Sequence, residues 1–148
     1  MNFTGISGAT APQLLLDAAL RLRQDLRRCA QHLGLTRSQI AALACLSMQP
    51  GLAQVELAED VEVHPVTITQ IIGRLQKDAW VRREVDEDDR RVFHVFVTRK
   101  AQPLLEGFWA IVGDRGEQAL EGFTASERVL LAQFLRRIQS NITARGHG

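Results

Sequence analysis

Apolar and polar positions alternate at helical spacing through most of the chain, and they separate most clearly between His64 and Trp80. At 3.6 residues per turn, one face of this segment collects Ile68, Ile71, Ile72, Leu75 and Ala79. The opposite face collects Val66, Thr67, Gln70, Gly73, Arg74 and Lys77. Pro65 suits the first helical position, because its missing N–H would have no partner there. One face is therefore expected to pack, while the other presents hydroxyl, amide and cationic groups.

The segments on either side of this helix predict a larger motif. Leu52 to Asp60 is typical of a short helix with Val55, Leu57 and Ala58 inward, and the three residues 61–63 join it to the next helix. This order indicates a helix-turn-helix. Downstream, residues 81–85 and 92–97 are rich in β-branched and aromatic side chains and flank a charged turn at 86–91. The fold is therefore expected to be mainly α with a small β-hairpin wing, a winged helix-turn-helix.

Four further helices are predicted from capping signals and periodicity. Thr10 with Gln13, Thr36 with Gln39, and Thr124 with Glu127 have the capping-box spacing. After Thr10, a narrow apolar seam follows heptad-like spacing until Gly34: Leu15, Ala19, Leu22, Leu26, Cys29 and Leu33. After Thr36, the inward positions are Ile40, Leu43, Ala44 and Met48. Beyond the wing, residues 103–121 form a helix loosened by three glycines, and the last helix carries Leu130, Leu131, Phe134, Leu135, Ile138 and Ile142.

The terminal helices carry more apolar surface than a small winged-helix core can cover. The seam from Leu15 to Leu33 requires a partner, which is either another helix of the same chain or a helix of a second subunit. A two-fold homodimer would bury both stripes. It would also place the two copies of the helix at 64–80, the candidate recognition helix, about 34 Å apart, facing successive major grooves of a pseudo-palindromic DNA site.

Composition limits the class of protein without naming a function. The chain has 148 residues, enough for one domain, with 45% hydrophobic residues, 24% charged residues and a formal net charge of +1. So small a charge does not by itself indicate a nucleic-acid binder, so that case rests on where the charges lie. No apolar run is long enough to span a membrane and no signal peptide is evident, so a cytoplasmic protein is expected.

No enzyme, cofactor or metal is predicted. The sequence contains no nucleophile paired with a base, no paired carboxylates typical of a cleft and no phosphate-binding loop. The two cysteines, Cys29 and Cys45, are too few for a closed zinc site. The four histidines show no metal-ligand spacing: His32, His64, His94 and His147.

Several short motifs, taken in order, resemble the MarR family of multiple-antibiotic-resistance regulators. They are Thr36, Gln39, Leu43, Glu56-Leu57-Ala58, Thr67-Ile68-Thr69, Arg74-Leu75, Trp80-Val81, Asp89-Arg90-Arg91 and Val97-Thr98. The Asp89-Arg90-Arg91 block just before Val97-Thr98 is the most specific part. The resemblance implies one domain over residues 1–148, with dimerisation helices at 10–34 and 101–144 around a DNA-binding region at 36–98. Members commonly have glycine where this chain has Glu62, Ala79 and Ala101.

The same resemblance implies a double-stranded DNA site on the recognition helix and wing. Its candidate residues are His64, Val66, Thr67, Thr69, Gln70, Arg74, Lys77, Arg82, Asp89, Arg90 and Arg91. Asp89 would brace the wing while Arg90 or Arg91 enters the minor groove. The simpler alternatives are an amphipathic surface helix and a solvated acidic turn, since residues 86–89 are all acidic.

The resemblance also implies a homodimeric repressor relieved by a small molecule, often an aromatic anion. Arg28, His32, Phe108 and Trp109 are the candidate effector-binding residues, although two such aromatic residues are more often plain core. Two other functions remain open: a winged helix that binds only proteins, and a thiol-based redox regulator. Cys29 shares the apolar seam, so it is expected to be structural, because apolar surroundings make a thiol inert.

Overall fold

The computed structural model describes residues 8–145 and contains six α-helices and a three-stranded antiparallel sheet in that range. The helices are α1 (Ala11–Ala30), α2 (Arg37–Met48), α3 (Gln54–Asp60), α4 (Pro65–Lys77), α5 (Gln102–Ala119) and α6 (Ala125–Arg145). The strands are β1 (Leu52–Ala53), β2 (Val81–Val85) and β3 (Phe93–Val97), in the spatial order β1-β3-β2. Two 3-10 turns, Gln31–Leu33 and Arg99–Ala101, extend α1 and precede α5. The winged helix-turn-helix predicted from the sequence is confirmed.

The core lies where α2, α3 and α4 meet the sheet and the start of α5. Its fully buried large side chains are Leu43, Leu46, Leu57, Ile68, Ile72, Leu75 and Val95. Burying each leucine or isoleucine contributes about 1.5–3 kcal/mol. Three of these side chains come from α4, so the inward face predicted for that helix is confirmed, and its opposite face is fixed toward solvent.

Capping side chains set the helix boundaries as predicted. The N–H of Thr36 donates to Oε1 of Gln39 at 2.8 Å, and the N–H of Gln39 donates back to Oγ1 of Thr36 at 3.3 Å. Thr124 and Glu127 repeat this exchange at the start of α6. Gly34, with φ of 74°, follows the 3-10 turn that closes α1.

Three residues predicted to point inward are exposed instead, and one of them, Ala79, lies in the turn after α4 rather than on the helix. Met48 is 70% exposed and Val55 is 64% exposed. Met48 follows the buried Leu46 by two positions, and Val55 precedes the buried Leu57 by two. A shift of two residues rotates a side chain by about 200° around a helix, so both point away from the core.

The segment at Leu52 and Ala53 was predicted to begin a helix, and that assignment was wrong. These residues form β1, with Leu52 opposite Val95 and Ala53 opposite His94 on β3. Helix α3 begins only at Gln54. The wing is therefore the outer part of a three-stranded sheet rather than an isolated hairpin, and β1 connects it directly to the helix-turn-helix.

Two of the three positions where glycine is usual have left-handed backbone. Glu62, in the turn before α4, has φ of 57°, and Ala79, after α4, has φ of 59°. A side chain in this region costs on the order of 1 kcal/mol. Ala101 is different, because its backbone is right-handed and its side chain is fully buried.

The terminal helices expose much apolar surface. Helix α1 packs against α5, whereas α6 makes only sparse contacts with the other described elements. Large exposed hydrophobic residues on α1 and α6 include Leu14, Leu15, Leu16, Leu22, Val129, Leu130, Phe134, Leu135 and Ile142. The chain's accessible surface is 10682 Å², whereas a compact monomer of this mass is expected to expose about 7,500 Å². None of the helices in the described range could span a membrane.

Candidate nucleic-acid interface

The N-terminal end of α4 is fixed by its own sequence. Nδ1 of His64 accepts a hydrogen bond from the N–H of Val66 at 3.2 Å, so His64 caps the helix, and Pro65 occupies its first turn. His64 remains exposed, as does Val66. The cap therefore uses Nδ1 and leaves the first turn of the helix open to solvent.

The solvent face of α4 carries the predicted base-reading and backbone-binding groups together. The structure exposes Thr67, Gln70, Arg74 and Lys77 on this face. Gln70 presents both a donor and an acceptor, the combination that pairs with the major-groove edge of adenine. Arg74 and Lys77 lie in the last turns of the helix, where long cationic side chains suit phosphate oxygens.

Thr69 differs from its neighbours, because its hydroxyl is already engaged within the protein. Its Oγ1 donates to the carbonyl of Pro65 at 3.0 Å and accepts from Nε2 of Gln54 at 2.8 Å. The carbonyl of Thr69 accepts a long bond of 3.5 Å from Nη2 of Arg83, on β2. Thr69 therefore connects α4 to α3 and to the wing.

Gln54 and Arg83 each bury one polar atom without a hydrogen-bond partner in the described part of the chain. These atoms are Oε1 of Gln54 and Nε of Arg83. Both side chains contact Thr69, and neither was selected from the sequence. No sequence pattern identifies a polar side chain that connects two exposed elements, so neither residue could be found in advance.

The wing tip is organised by Asp86. Its Oδ1 accepts from the backbone N–H groups of Asp88 at 2.9 Å and Asp89 at 2.8 Å. Its Oδ2 lies 2.8 Å from Nε2 of His94 on β3. Sequence reasoning missed Asp86, although an aspartate at the start of a turn commonly accepts from the N–H groups two and three residues later.

Asp89 holds Arg91 at the wing tip by a paired hydrogen bond. Its carboxylate accepts from both Nε and Nη2 of Arg91 at 3.0 Å, and Oδ1 also accepts from the backbone N–H of Arg91. This paired hydrogen bond lowers the pKa of Asp89 and raises that of Arg91. The Arg91 side chain is nevertheless 90% exposed. Arg90 is also exposed and makes no hydrogen bond or ion pair with any described residue.

Arg82 has partners on the wing itself. Its guanidinium forms an ion pair with Glu84, and its Cζ lies 4.5 Å from the centre of the Phe96 ring. The side chain is still about half exposed. Arg82 is therefore held along the wing surface rather than projected beyond its tip.

A separate cavity of about 480 Å³ lies between α1, α2 and α5. Its walls are mostly apolar: Leu26, Ala30, Leu35, Ile40, Ala41 and Phe108. Its remaining lining residues are polar or cationic: Arg23, Arg27, Gln31 and Arg37. A volume of this size fits a small organic molecule.

The arginines of this cavity repel one another. The pKa of Arg27 is lowered, first by desolvation and then by the charges of Arg37 and Arg23. A bound anion would relieve this repulsion. The cavity thus combines an apolar wall for a ring with cations for an acidic group.

Of the four predicted effector residues, the structure brings only Phe108 into this cavity. Arg28 and His32 are exposed and are not among its lining residues. Trp109 packs edge-on against Phe108, with ring centres 5.2 Å apart, and its Nε1 donates to Oγ of Ser47 at 3.2 Å. The cations that line the cavity are instead Arg23 and Arg27 on α1 and Arg37 on α2.

Among residues 8–145, no three histidine, cysteine, aspartate or glutamate side chains are arranged to hold a metal ion. His147 lies outside the described residues. Cys45 donates a long hydrogen bond to Oδ2 of Asp60 at 3.5 Å. Burial and this contact raise the pKa of the Cys45 thiol to about 11.

Comparisons with known proteins agree with this architecture. The model of the MarR family matches residues 35–93, from two residues before α2 to the first residue of β3. The HTH-type transcriptional regulator YybA of Bacillus subtilis is 29% identical over 116 residues, which cover 76% of this chain and 75% of YybA. A MarR-family transcriptional regulator from Silicibacter pomeroyi has a similar crystal structure, with a TM-score of 0.77 and 28% identity over 95% of this chain and 92% of that one.

A more distant structure shares the fold. BpsR of Bordetella bronchiseptica has a TM-score of 0.68 and 23% identity, covering 86% of this chain and 97% of its own. Its DNA binding is regulated by 6-hydroxynicotinic acid. At this identity the likeness concerns the fold alone.

Proposed function

Because this chain belongs to the MarR family of DNA-binding transcriptional regulators, we propose that it acts as a homodimeric repressor released from its operator by a small aromatic anion. Members of the family are not enzymes. The observation that carries the proposal is the pairing of an exposed polar face on α4 with a wing arginine braced by Asp89. Both elements extend from the same hydrophobic core.

Within this proposal, the recognition helix has two kinds of contact. Thr67 and Gln70 lie in the half of α4 nearer its N-terminus, which approaches base edges most closely in a major groove. Arg74 and Lys77, one or two turns later, contact phosphates. Thr69 holds α4 in place, since its hydroxyl is already engaged by Pro65 and Gln54.

On the wing, Arg90 and Arg91 supply the minor-groove or phosphate contact. Arg91 is the better oriented of the two, because Asp89 binds two of its guanidinium nitrogens. His64 caps α4, and Val66 adds an exposed apolar contact beside it. Arg82 adds positive charge along the wing but does not enter the minor groove.

Recovery of bound DNA tests this function. The purified protein is incubated with sheared genomic DNA, retained fragments are sequenced, and binding to the enriched duplex is titrated at several salt concentrations. We expect a pseudo-palindromic sequence and an affinity that falls steeply as salt rises. A winged helix that binds only proteins would enrich no sequence and show no such salt dependence.

The dimer proposal rests on the uncovered apolar stripes of α1 and α6. Residues 10–34 and 101–144 would form the dimerisation region and residues 36–98 the DNA-binding region, within one domain. The core cluster draws almost all its members from the second region, whereas no side chain described in α6 is buried. A second copy of the chain, related by two-fold symmetry, would cover both stripes at once.

The effector proposal rests on the cavity between α1, α2 and α5. An aromatic ring would contact Phe108 and the aliphatic wall, while its carboxylate would contact Arg27 and Arg37. 6-Hydroxynicotinic acid, which regulates BpsR, has this combination of ring and acid. Such a ligand would bridge a dimerisation helix and α2 of the DNA-binding region, so it would act on the spacing of the recognition helices.

A matched pair of ligands and a matched pair of variants test the cavity. Hydroxybenzoates and hydroxypyridine carboxylates should raise the melting temperature, while the corresponding neutral amides should not. Arg37→Gln should abolish the shift, whereas Arg28→Gln, at an exposed arginine outside the cavity, should keep it. Equal responses from acids and amides, or from the two variants, would contradict an anion site here.

A further inference from the structure

A continuous series of hydrogen bonds runs from the helix-turn-helix to the wing arginine. The carbonyl of Gly51, just before β1, lies 2.8 Å from Nδ1 of His94, and Nε2 of His94 lies 2.8 Å from Oδ2 of Asp86. Asp86 then accepts from the N–H of Asp89 at 2.8 Å, and Asp89 binds Arg91. Each link is short, and the first joins residues that are 43 positions apart in the sequence.

Both ring nitrogens of His94 face groups that only accept hydrogen bonds. A carbonyl oxygen lies on one side and a carboxylate oxygen on the other. A neutral imidazole carries a single N–H, so it satisfies one of them and turns a lone pair toward the other. Only the protonated ring donates to both, and the geometry therefore selects imidazolium.

We propose that His94 and Asp86 are positioning residues for DNA binding, and that protonated His94 holds the wing tip in the conformation in which Asp89 presents Arg91. This inference rests on the proposed DNA-binding function. Neither residue needs to contact DNA. Asp86 sets the turn through two backbone N–H groups, and His94 fixes Asp86 relative to the loop that enters the helix-turn-helix.

Acidic residues from three elements lie near His94, and one of them, Glu84, is itself ion-paired with Arg82. Asp86 faces it from the wing tip, Glu84 is its cross-strand partner on β2, and Glu56 on α3 contributes a favourable charge. Hydrogen bonds to Asp86 and Gly51 raise the pKa of His94 above its ordinary value of 6.5, despite partial burial. The His94 hydrogen bond and the two backbone donors lower the pKa of Asp86 to about 2. The hydrogen bond between His94 and Asp86 is the largest cause of both pKa shifts.

The direction of the pH effect follows from these shifts. His94 has a raised pKa in the folded wing, so its contribution is complete below the unfolded value of about 6.5 and is lost as pH rises through the folded value. Asp86 has a depressed pKa, so its contribution is complete above about 4 and is lost only as pH falls toward its folded value. The series is therefore intact in mildly acidic solution and loses one link in alkaline solution.

The first measurement needs no DNA. NMR titration of the histidine side chains should show His94 with a pKa above 6.5, and Asp86→Asn should lower it. A His94 that titrates at or below 6.5 in the wild-type protein, or one whose pKa is unchanged by Asp86→Asn, would overturn the proposal.

The second measurement uses a duplex of about 24 base pairs, selected by the wild-type protein from a randomised library. Its affinity should be about threefold to tenfold weaker at about pH 8 than at about pH 6. His94→Gln should bind at one level across this range, because glutamine does not titrate, while His32→Gln should keep the wild-type profile. Arg91→Ala should also remove the pH dependence, since the effect acts through that side chain.

The outcomes distinguish a failure of the proposed DNA-binding function from a failure of the positioning role of His94 and Asp86. A library that yields no enriched duplex contradicts the proposed function, and the positioning role falls with it. An enriched duplex that the wild type and His94→Gln bind with parallel pH profiles overturns the positioning role alone. Circular dichroism of each variant at both pH values shows whether lost binding reflects lost folding, and Asp86→Asn provides a second variant if His94→Gln fails to fold.

Discussion

Replacing Ala79 with glycine should stabilise the protein, because the backbone there is left-handed. Ala79 has φ of 59° in the turn between α4 and β2 and is exposed, so its methyl group contributes little packing. Its hydrogen bonds are made by the backbone: its N–H donates to Gln76 and its carbonyl accepts from Thr98 at 2.6 Å. Glycine keeps both bonds and removes the steric conflict at Cβ.

The expected gain in the free energy of unfolding is the difference between two contributions. A left-handed conformation costs a side-chain-bearing residue about 1–2 kcal/mol, and glycine loses about 0.4–1 kcal/mol through the greater freedom of the unfolded chain. The net gain in free energy of unfolding is therefore about 0.5–1 kcal/mol, or a melting temperature about 2 °C higher at this chain length. Glu62→Gly, at φ of 57°, should gain less, because it also removes an exposed ion pair with Arg23.

Ala101→Gly is the matched control. Ala101 is fully buried with right-handed backbone, so glycine loses about 0.8 kcal/mol of burial and about 0.4–1 kcal/mol through the greater freedom of the unfolded chain. Urea unfolding at one protein concentration should move the midpoint up for Ala79→Gly and down for Ala101→Gly, with unchanged slopes. A downward shift for Ala79→Gly, or equal shifts for both variants, would refute the assignment of strain.

Three further outcomes test the assigned roles. Gln70→Ala should lose about 1–3 kcal/mol of discrimination at one symmetric pair of operator positions. Arg74→Ala should instead weaken binding to all duplexes alike and lower the slope of affinity against salt by about one unit per subunit. Binding titrations on operator and scrambled duplexes distinguish these results, and the opposite pattern would assign base reading to Arg74 and phosphate binding to Gln70. Phe134→Asp, on the exposed stripe of α6, should give a smaller mass by light scattering, and an unchanged mass would place the dimer contact elsewhere. Mild peroxide should leave DNA binding intact in the wild type, because the raised pKa of Cys45 keeps its thiol protonated; protection by Cys29→Ser or Cys45→Ser would instead indicate a redox switch.

Features set by neighbours along the chain were predictable from the sequence. The capping boxes depend on a residue and its partner three positions later, so Thr36 and Thr124 could be identified directly. The buried face of α4 follows from the helical repeat of 3.6 residues per turn. Four of its predicted residues are buried: Ile68, Ile71, Ile72 and Leu75. Proline at the first turn and a braced wing arginine are local as well.

Features that join distant segments were not predictable in the same way. Strand β1 exists because Leu52 and Ala53 pair with residues more than 40 positions later, so its helix-like sequence could not reveal it. The bond between His94 and Gly51 depends on that same pairing. The cavity likewise takes Arg27 from α1 and Arg37 from α2, and only the packing angle of those helices brings the two guanidinium groups together.

The acidic wing turn shows why net charge is a poor guide to this interface. Residues 86–89 are all acidic, which argues against DNA binding if each residue is counted as a free carboxylate. Two of those carboxylates are instead occupied: Asp86 accepts from backbone N–H groups and His94, and Asp89 accepts from Arg91. Their charge orients a cation and closes a turn, so it opposes a phosphate less than a solvated carboxylate would. The salt dependence of binding should therefore follow the exposed cations of α4 and the wing, not the total of +1.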